Sequence, residues 1–185
     1  MDGDIAGLIR RAKTYDQAAF ADLYHLTITP VYRYLSARLG TVEDAEELTQ
    51  EVFLAAVTGI QGLRAEDEAG LLSWLFQIAR HKLADHLRRR YRRPSTPLDE
   101  ADQVEDRQPL PEEVAETDDE HAELHQALER LTPEQREVIM FKYVLGYDNE
   151  QTARLVGKNV NSVNQLQHRA LASLRRLLGT TEKVR

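Results

Sequence analysis

One stretch limits what this 185-residue chain can fold into more than any other: "PSTPLDEADQVEDRQPLPEEVAETDDE", residues 94–120. It carries four of the six prolines, 11 acidic side chains against one basic (Arg107), and few large apolar residues. Such a segment cannot bury enough surface to offset its chain entropy, and its like charges repel one another. The expected organisation is therefore a domain over residues 1–93, a flexible acidic linker over 94–118 and a second domain over 119–185.

The formal net charge of −7 belongs to that middle stretch. Residues 1–93 balance 13 basic against 13 acidic side chains, whereas residues 121–185 hold 10 basic and 7 acidic ones. The two ends must be judged separately from the overall charge. The absence of cysteine excludes a disulfide framework and a thiolate metal site within the chain. The opening "MDGDIAGLIRRAK" lacks the apolar core of a secretory signal. The most apolar run, "GLLSWLFQIA", is half of the roughly 20 residues a membrane span requires. The expectation is a cytoplasmic protein without membrane insertion.

Both flanks read as helix. No stretch alternates like a strand, and turn residues fall between apolar-periodic runs. Thr132-Pro133-Glu134-Gln135 supplies a cap, a proline at the first helical position and a glutamine at the third. Asp148-Asn149-Glu150-Gln151 repeats that logic, and Gly40-Thr41 separates two helices. Helices are expected over 3–13, 16–39, 42–59, 69–92, 119–131, 133–145, 149–156 and 160–178. The fold class is all-α, with two small helical domains joined by the linker.

The last of these helices carries "NVNSVNQLQHRALASLRR". At about 100° per residue, Val163, Leu166, Ala170, Leu174 and Leu177 form one seam. Asn161, Gln165, His168, Ala172 and Arg175 lie opposite, flanked by Asn164, Arg169 and Arg176. A short helix, "NEQTARLV", precedes the turn Gly157-Lys158-Asn159, with Asn159 as the cap. Helix, short glycine-containing turn and longer amphipathic helix make the helix-turn-helix pattern, whose second helix enters the DNA major groove. Asn and Gln can bond the N6 and N7 of adenine bidentately, and Arg and Lys suit guanine edges or phosphates. On an ordinary solvated face, three asparagines at 159, 161 and 164 would be poor helix formers without a task.

Two further helices carry information. "WLFQIARHKLADHLRRRYRR" gathers Arg80, Lys82, Arg88, Arg89, Arg90, Arg92 and Arg93 against one acid of its own, Asp85, which suits a phosphate backbone. Favourable placement of cations at a helix C-terminus explains one or two arginines, but not five in six residues. Trp74 and Phe76 could stack on bases, although their spacing with Leu75, Ile78 and Ala79 equally fits a core. In "VEDAEELTQEVFLAAV", Ala45, Leu48, Val52, Ala55 and Ala56 form one stripe. Glu43, Glu46, Gln50, Leu54 and Val57 lie opposite, so acids and aliphatics share the outer face. That mixture fits either a partner surface or a second buried side.

Taken in order, "DAEELTQEVFLAA", "LLSWLFQIARHKLADHLRRR" and, after the linker, "LERLTPEQREVIMFKYVLGYDNEQTARLVGKNVNSVNQLQHRALASLRRLL" resemble the extracytoplasmic-function (ECF) sigma factors. The likeness covers residues 16–93 as region 2 and 121–178 as region 4. It implies a non-enzymatic transcription initiation factor without a cofactor, acting with core RNA polymerase on promoter DNA and controlled by an anti-sigma factor. It further implies that Asp44, Glu47, Leu48, Gln50, Glu51 and Phe53 dock on the clamp helices of the largest polymerase subunit, while region 4 meets the flap of the second-largest. The −10 element would fall to Arg80, His81, Lys82, Arg88, Arg89, Arg90, Arg92 and Arg93, with its melted strand along residues 59–73. The −35 major groove would fall to Lys158, Asn159, Asn161, Ser162, Asn164, Gln165, His168 and Arg169. Two departures stand out. His81 follows "IAR" where the family often has Asn, and Asn164 and Leu166 occupy positions usually held by Lys and Arg. Amides in place of cations point to adenine-bearing steps.

Other chemistry is not spelled out. His121 and His125 stand four apart on a helix but lack a third ligand, and no phosphate-cradling glycine loop is present. The competing readings are a free-standing helix-turn-helix regulator and, from another class, a helical RNA-processing enzyme using the basic helix.

Overall fold

A computed structural model describes residues 4–39, 41–92 and 123–179, with the backbone alone for residues 91 and 92. The stretch expected as a linker, together with Arg93 and His121, lies outside the described residues.

The helices begin where side chains can satisfy the first backbone N–H groups. The Asp4 carboxylate accepts from Gly7 N at 2.7 Å and starts α1 (Ile5–Ala12). Asp16 accepts from Ala19 N at 3.1 Å and starts α2 (Gln17–Ser36). Thr41 Oγ1 does the same for Asp44 N at 3.2 Å ahead of α3 (Val42–Gly59). A 3₁₀ turn, Ile60–Gly62, leads towards α4 (Glu68–Arg92). The second module holds α5 (residues 123–129), α6 (Pro133–Ile139), α7 (Asn149–Val156) and α8 (Val160–Leu178). Both expected capping boxes, at Thr132 and Asp148, are formed.

In the first module α2 packs on α1, α3 and α4. Val31, Tyr34, Leu35, Leu48, Val52, Phe76 and Ala79 are fully enclosed there. Burying each large aliphatic or aromatic chain contributes about 1.5–3 kcal/mol. In the second module α8 lies on α6 and α7 over two smaller apolar clusters. Among the described residues there is no strand.

One element differs from its periodicity. The helix expected over 133–145 is α-helical only to Ile139 and continues as a π-helical segment, Met140–Val144. Leu145 N donates to Met140 O at 3.1 Å, five residues back, and Tyr147 N donates to Phe141 O at 3.0 Å. Gly146, at φ +78°, lets the chain leave this widened turn. A π turn has a rotation per residue different from that of an α-helix, so Met140 and Phe141 enter the first module's core.

As a result the two modules share their largest core, to which Met140, Phe141 and Leu155 belong. The Phe141 ring lies 4.9 Å from that of Phe76 and 6.0 Å from that of Tyr34. Polar links frame this contact. Glu137 of α6 accepts from the Tyr34 hydroxyl on one oxygen and, at 2.8 Å, from Arg80 on the other. Arg38 donates to Glu129 at 3.2 Å, Arg33 to the Val144 carbonyl, and Ser73 to the Leu155 carbonyl at 3.4 Å.

Candidate nucleic-acid interface

The site is built on α7 and α8. Gly157 ends α7 at φ +66°, the left-handed geometry that glycine adopts without a side-chain clash, and Lys158 N donates back to Ala153 O at 2.9 Å. Two residues later Asn159 starts α8, its Oδ1 accepting from Ser162 N at 2.8 Å. Two capped helices separated by a three-residue turn therefore fix the angle at which α8 is presented. Val163, Leu166, Ala170 and Leu174 are buried as the seam requires, and Leu177 is half-buried. Asn161, Gln165, His168 and Arg169 are exposed together on the outer face, followed by Arg175 and Arg176.

The other expected readers on this helix are engaged within the protein. Lys158 pairs with Glu134 at 2.7 Å. Asn164 is half-buried, and its Oδ1 accepts from Asn149 Nδ2 at 2.5 Å. Asn159 and Ser162 take part in the cap.

The basic run of α4 meets more acids than its own sequence contains. Lys82 pairs with Glu51 at 3.0 Å, while Arg89 and Arg90 reach Glu51 and Asp44 of α3 at 3.9 Å each. Arg88 pairs with Asp85, and His81 is exposed. The reading of a cluster facing a single acid thus holds within the helix but not in space, because α3 packs alongside. The arginines of these pairs are exposed whereas Glu51 and Asp44 are half-buried, and partly solvated pairs of this kind are worth about 0–1 kcal/mol each. Arg80 stands apart: it is tied to Glu137, whose side chain is only 14% exposed.

Beside the start of α4, Arg64, Asp67, Ser73, Trp74 and Gln77, with Arg154 of α7, help to line an open cleft of about 430 Å³. Trp74 forms part of its wall, whereas Phe76 is wholly inside the core. Arg154 was not among the expected site residues, since nothing local connects it to a segment 80 residues earlier.

A second groove, of about 540 Å³, runs between α2 and α3 of the first module. Phe20, Tyr24, Glu47, Gln50, Glu51, Phe53, Leu54 and Val57 line it, and Leu54 and Val57 remain 68% and 41% exposed. Of the six residues expected at a polymerase surface, Glu47 and Gln50 face outward. Glu51 and Asp44 are half-buried beside the α4 cations, Phe53 is 6% exposed on the groove floor, and Leu48 is sealed in the core. Leu54 and Val57 were legible as aliphatics on an acidic face, which is the signal that marks this groove.

Between the modules, burial pushes the Tyr34 phenol far above its ordinary range, and the Glu137 carboxylate adds to the effect. Burial likewise lowers Arg136, reinforced by Arg38 nearby. Arg136 donates to the carbonyls of Leu128, Glu129 and Leu131 and so holds the end of α5. Among the described residues no group of His, Asp and Glu could hold a metal ion, and no helix is long and apolar enough to cross a membrane.

These arrangements coincide with known families. Residues 23–93 match the sigma-70 region 2 model, and residues 121–174 match sigma-70 region 4. The ECF RNA polymerase sigma factor SigD of Mycobacterium tuberculosis is 33% identical over 181 residues, spanning 95% of this chain and 84% of the relative. The chain belongs to the ECF RNA polymerase sigma factors. Sigma factors are transcription initiation factors. BldN of Streptomyces coelicolor, another ECF sigma factor, is 34% identical over 171 residues. That match covers 92% of this chain but only 64% of BldN's own length. The fold agrees with that of CnrH, solved in complex with the cytosolic domain of CnrY, at a TM-score of 0.67 and 22% identity over 96% of this chain and 99% of CnrH. In this ECF sigma factor, region 2 thus holds the groove and the basic α4, region 4 holds the helix-turn-helix, and the cleft is lined by region 2 with Arg154 of region 4.

Proposed function

We propose that this sigma factor mounts on core RNA polymerase through the α2–α3 groove and directs it to promoters by reading the −35 element with α8 and the −10 element with α4 and the cleft. One observation carries the reading: α8 follows a capped α7 and a three-residue turn and offers Asn161, Gln165, His168 and Arg169 on a single exposed face. An exposed amide can meet an adenine edge with both its atoms, and a bidentate contact discriminates by about 1–3 kcal/mol. In the groove, Leu54 and Val57 give an apolar centre and Glu47 an acidic margin, which suits a partner helix with apolar and basic side chains.

Arg88, Arg89 and Arg90, all exposed, exchange their carboxylate partners for phosphates along the −10 duplex. The cleft beside α4 receives bases of the melted strand. Extruding a base costs a few kcal/mol, and stacking on an aromatic such as Trp74 returns about 1–3 kcal/mol. The polymerase performs all bond making, so the chain acts in the cytoplasm as a binding factor and not as an enzyme. Its activity is held in check by an anti-sigma protein.

Run-off transcription with purified core polymerase on genomic promoter fragments tests this directly. Start sites should appear only when both components are present. Transcripts of equal yield and start position from core polymerase alone would refute the reading.

A further inference from the structure

The α8 face carries more amides than it has free readers. Asn164 sits one turn into α8, and its Oδ1 accepts from Asn149 Nδ2 at 2.5 Å, while Asn149 Oδ1 accepts from the Lys142 ammonium. One turn further on, Gln167 Nε2 donates to the Tyr143 hydroxyl at 2.9 Å. Lys142 and Tyr143 are neighbours on the π-helical segment Met140–Val144, and Asn149 is the first residue of α7. Two polar ties thus run from one short segment to two successive turns of α8, one of them through α7.

A bidentate adenine contact needs the amide oxygen to accept from N6 and the amide nitrogen to donate to N7. In Asn164 the oxygen already accepts from Asn149, which turns the amide toward α7, and the side chain is half-buried. Asn161 and Gln165, both exposed, keep the oxygen and nitrogen of their amides unengaged among the described residues.

We infer that Asn164 is a positioning residue and not a base reader. The relay Lys142–Asn149–Asn164, with the Tyr143–Gln167 bond, locks the register and tilt of α8 against α7, leaving adenine-edge reading to Asn161 and Gln165. This rests on the proposal that α8 enters the −35 groove. The device is a substitute for direct contact: where a cation on α8 would grip DNA, this chain spends the position on holding the helix still.

The test uses the full chain with core polymerase and a promoter panel in which each −35 base pair is substituted in turn. Asn149→Ala and Asn164→Ala should each weaken binding about threefold to tenfold, the scale of one lost hydrogen bond, with the same loss at every panel member. Asn161→Ala and Gln165→Ala should instead flatten the preference at particular base pairs. In the DNA-free protein, Asn149→Ala should lower the melting temperature by about 2–4 °C. The double variant Asn149→Ala/Asn164→Ala should melt with Asn149→Ala, because the bond is lost once. Loss of discrimination at a single base pair in Asn164→Ala but not in Asn149→Ala would overturn the inference, as would additive melting shifts. An unmutated chain indifferent to every −35 substitution would instead remove the groove reading beneath it.

Discussion

Glu137 of α6 is the acid at the centre of the contact between regions 2 and 4, and removing it tests that contact. The Tyr34 hydroxyl, on a side chain with no exposed surface, loses its acceptor in Glu137→Ala, and an orphaned buried donor costs about 1–3 kcal/mol. Arg80, 32% exposed at its side chain, loses its partner too, but water reaches it, so that loss adds only about 0–1 kcal/mol. The sum is about 1–4 kcal/mol, read as a drop in melting temperature of about 2–4 °C for each kcal/mol in a chain of this size. Adding Tyr34→Phe to Glu137→Ala removes the orphan, so the double variant should be more stable than Glu137→Ala alone. The same burial that raises the Tyr34 pKa above its ordinary 10.0 favours the neutral phenol in the folded state. Its contribution is therefore complete below pH 10 and is lost as pH rises through the folded-state value, a component that Tyr34→Phe abolishes. Urea denaturation of the four proteins at pH 7 and above pH 10 gives every number required. A change within 0.5 kcal/mol for Glu137→Ala (roughly the level of an ordinary surface substitution), or strictly additive effects of the two substitutions, would refute the reasoning.

Further outcomes follow from other parts of the structure. Leu54→Asp or Val57→Asp places a charge on the exposed groove without touching the core, so core polymerase binding should fall at least about tenfold while the melting temperature stays within a few degrees; unchanged affinity in a pull-down titration would sink the groove assignment. Gly157→Val forces a β-branched residue to φ +66° and should cost about 1–2 kcal/mol of stability in chemical denaturation, and a neutral result would contradict the turn geometry. The Asp16 carboxyl, held by the Ala19 N–H and then by Arg11, should titrate below 3.8 by NMR. What it contributes to stability is present above pH 3.8 and disappears as pH falls through the lower folded-state value, and a midpoint at or above 3.8 would argue against the cap.

Local signals were the most legible part of the sequence. Thr132, Asp148 and Asn159 announce helix starts because capping is decided within three residues, and the Val163–Leu174 seam follows from the helical period alone. The outward position of Asn161, Gln165, His168 and Arg169 is equally a matter of angle. What remained hidden depends on residues far apart in the chain. Tyr34 and Glu137 are separated by 103 positions, and no periodicity within α2 or α6 points one at the other. The acids of α3 that face Lys82, Arg89 and Arg90 are invisible in the composition of α4. Asn164 looks like any other outward amide until Asn149 is seen beside it. The π turn at Met140–Val144 escapes for a different reason: its residues carry no local mark of a departure from the α period, and the wider turn is seen only together with Met140 and Phe141 in the shared core.

The central claim is that sequence-specific promoter contact belongs to the sigma factor and polymerase together. Footprinting of one promoter fragment with the chain alone, with core polymerase alone and with both tests it most directly. Protection at both −35 and −10 is predicted only for the mixture, with Asn161→Ala weakening the −35 part. Equal protection by the chain alone, at the same salt concentration, would contradict the account.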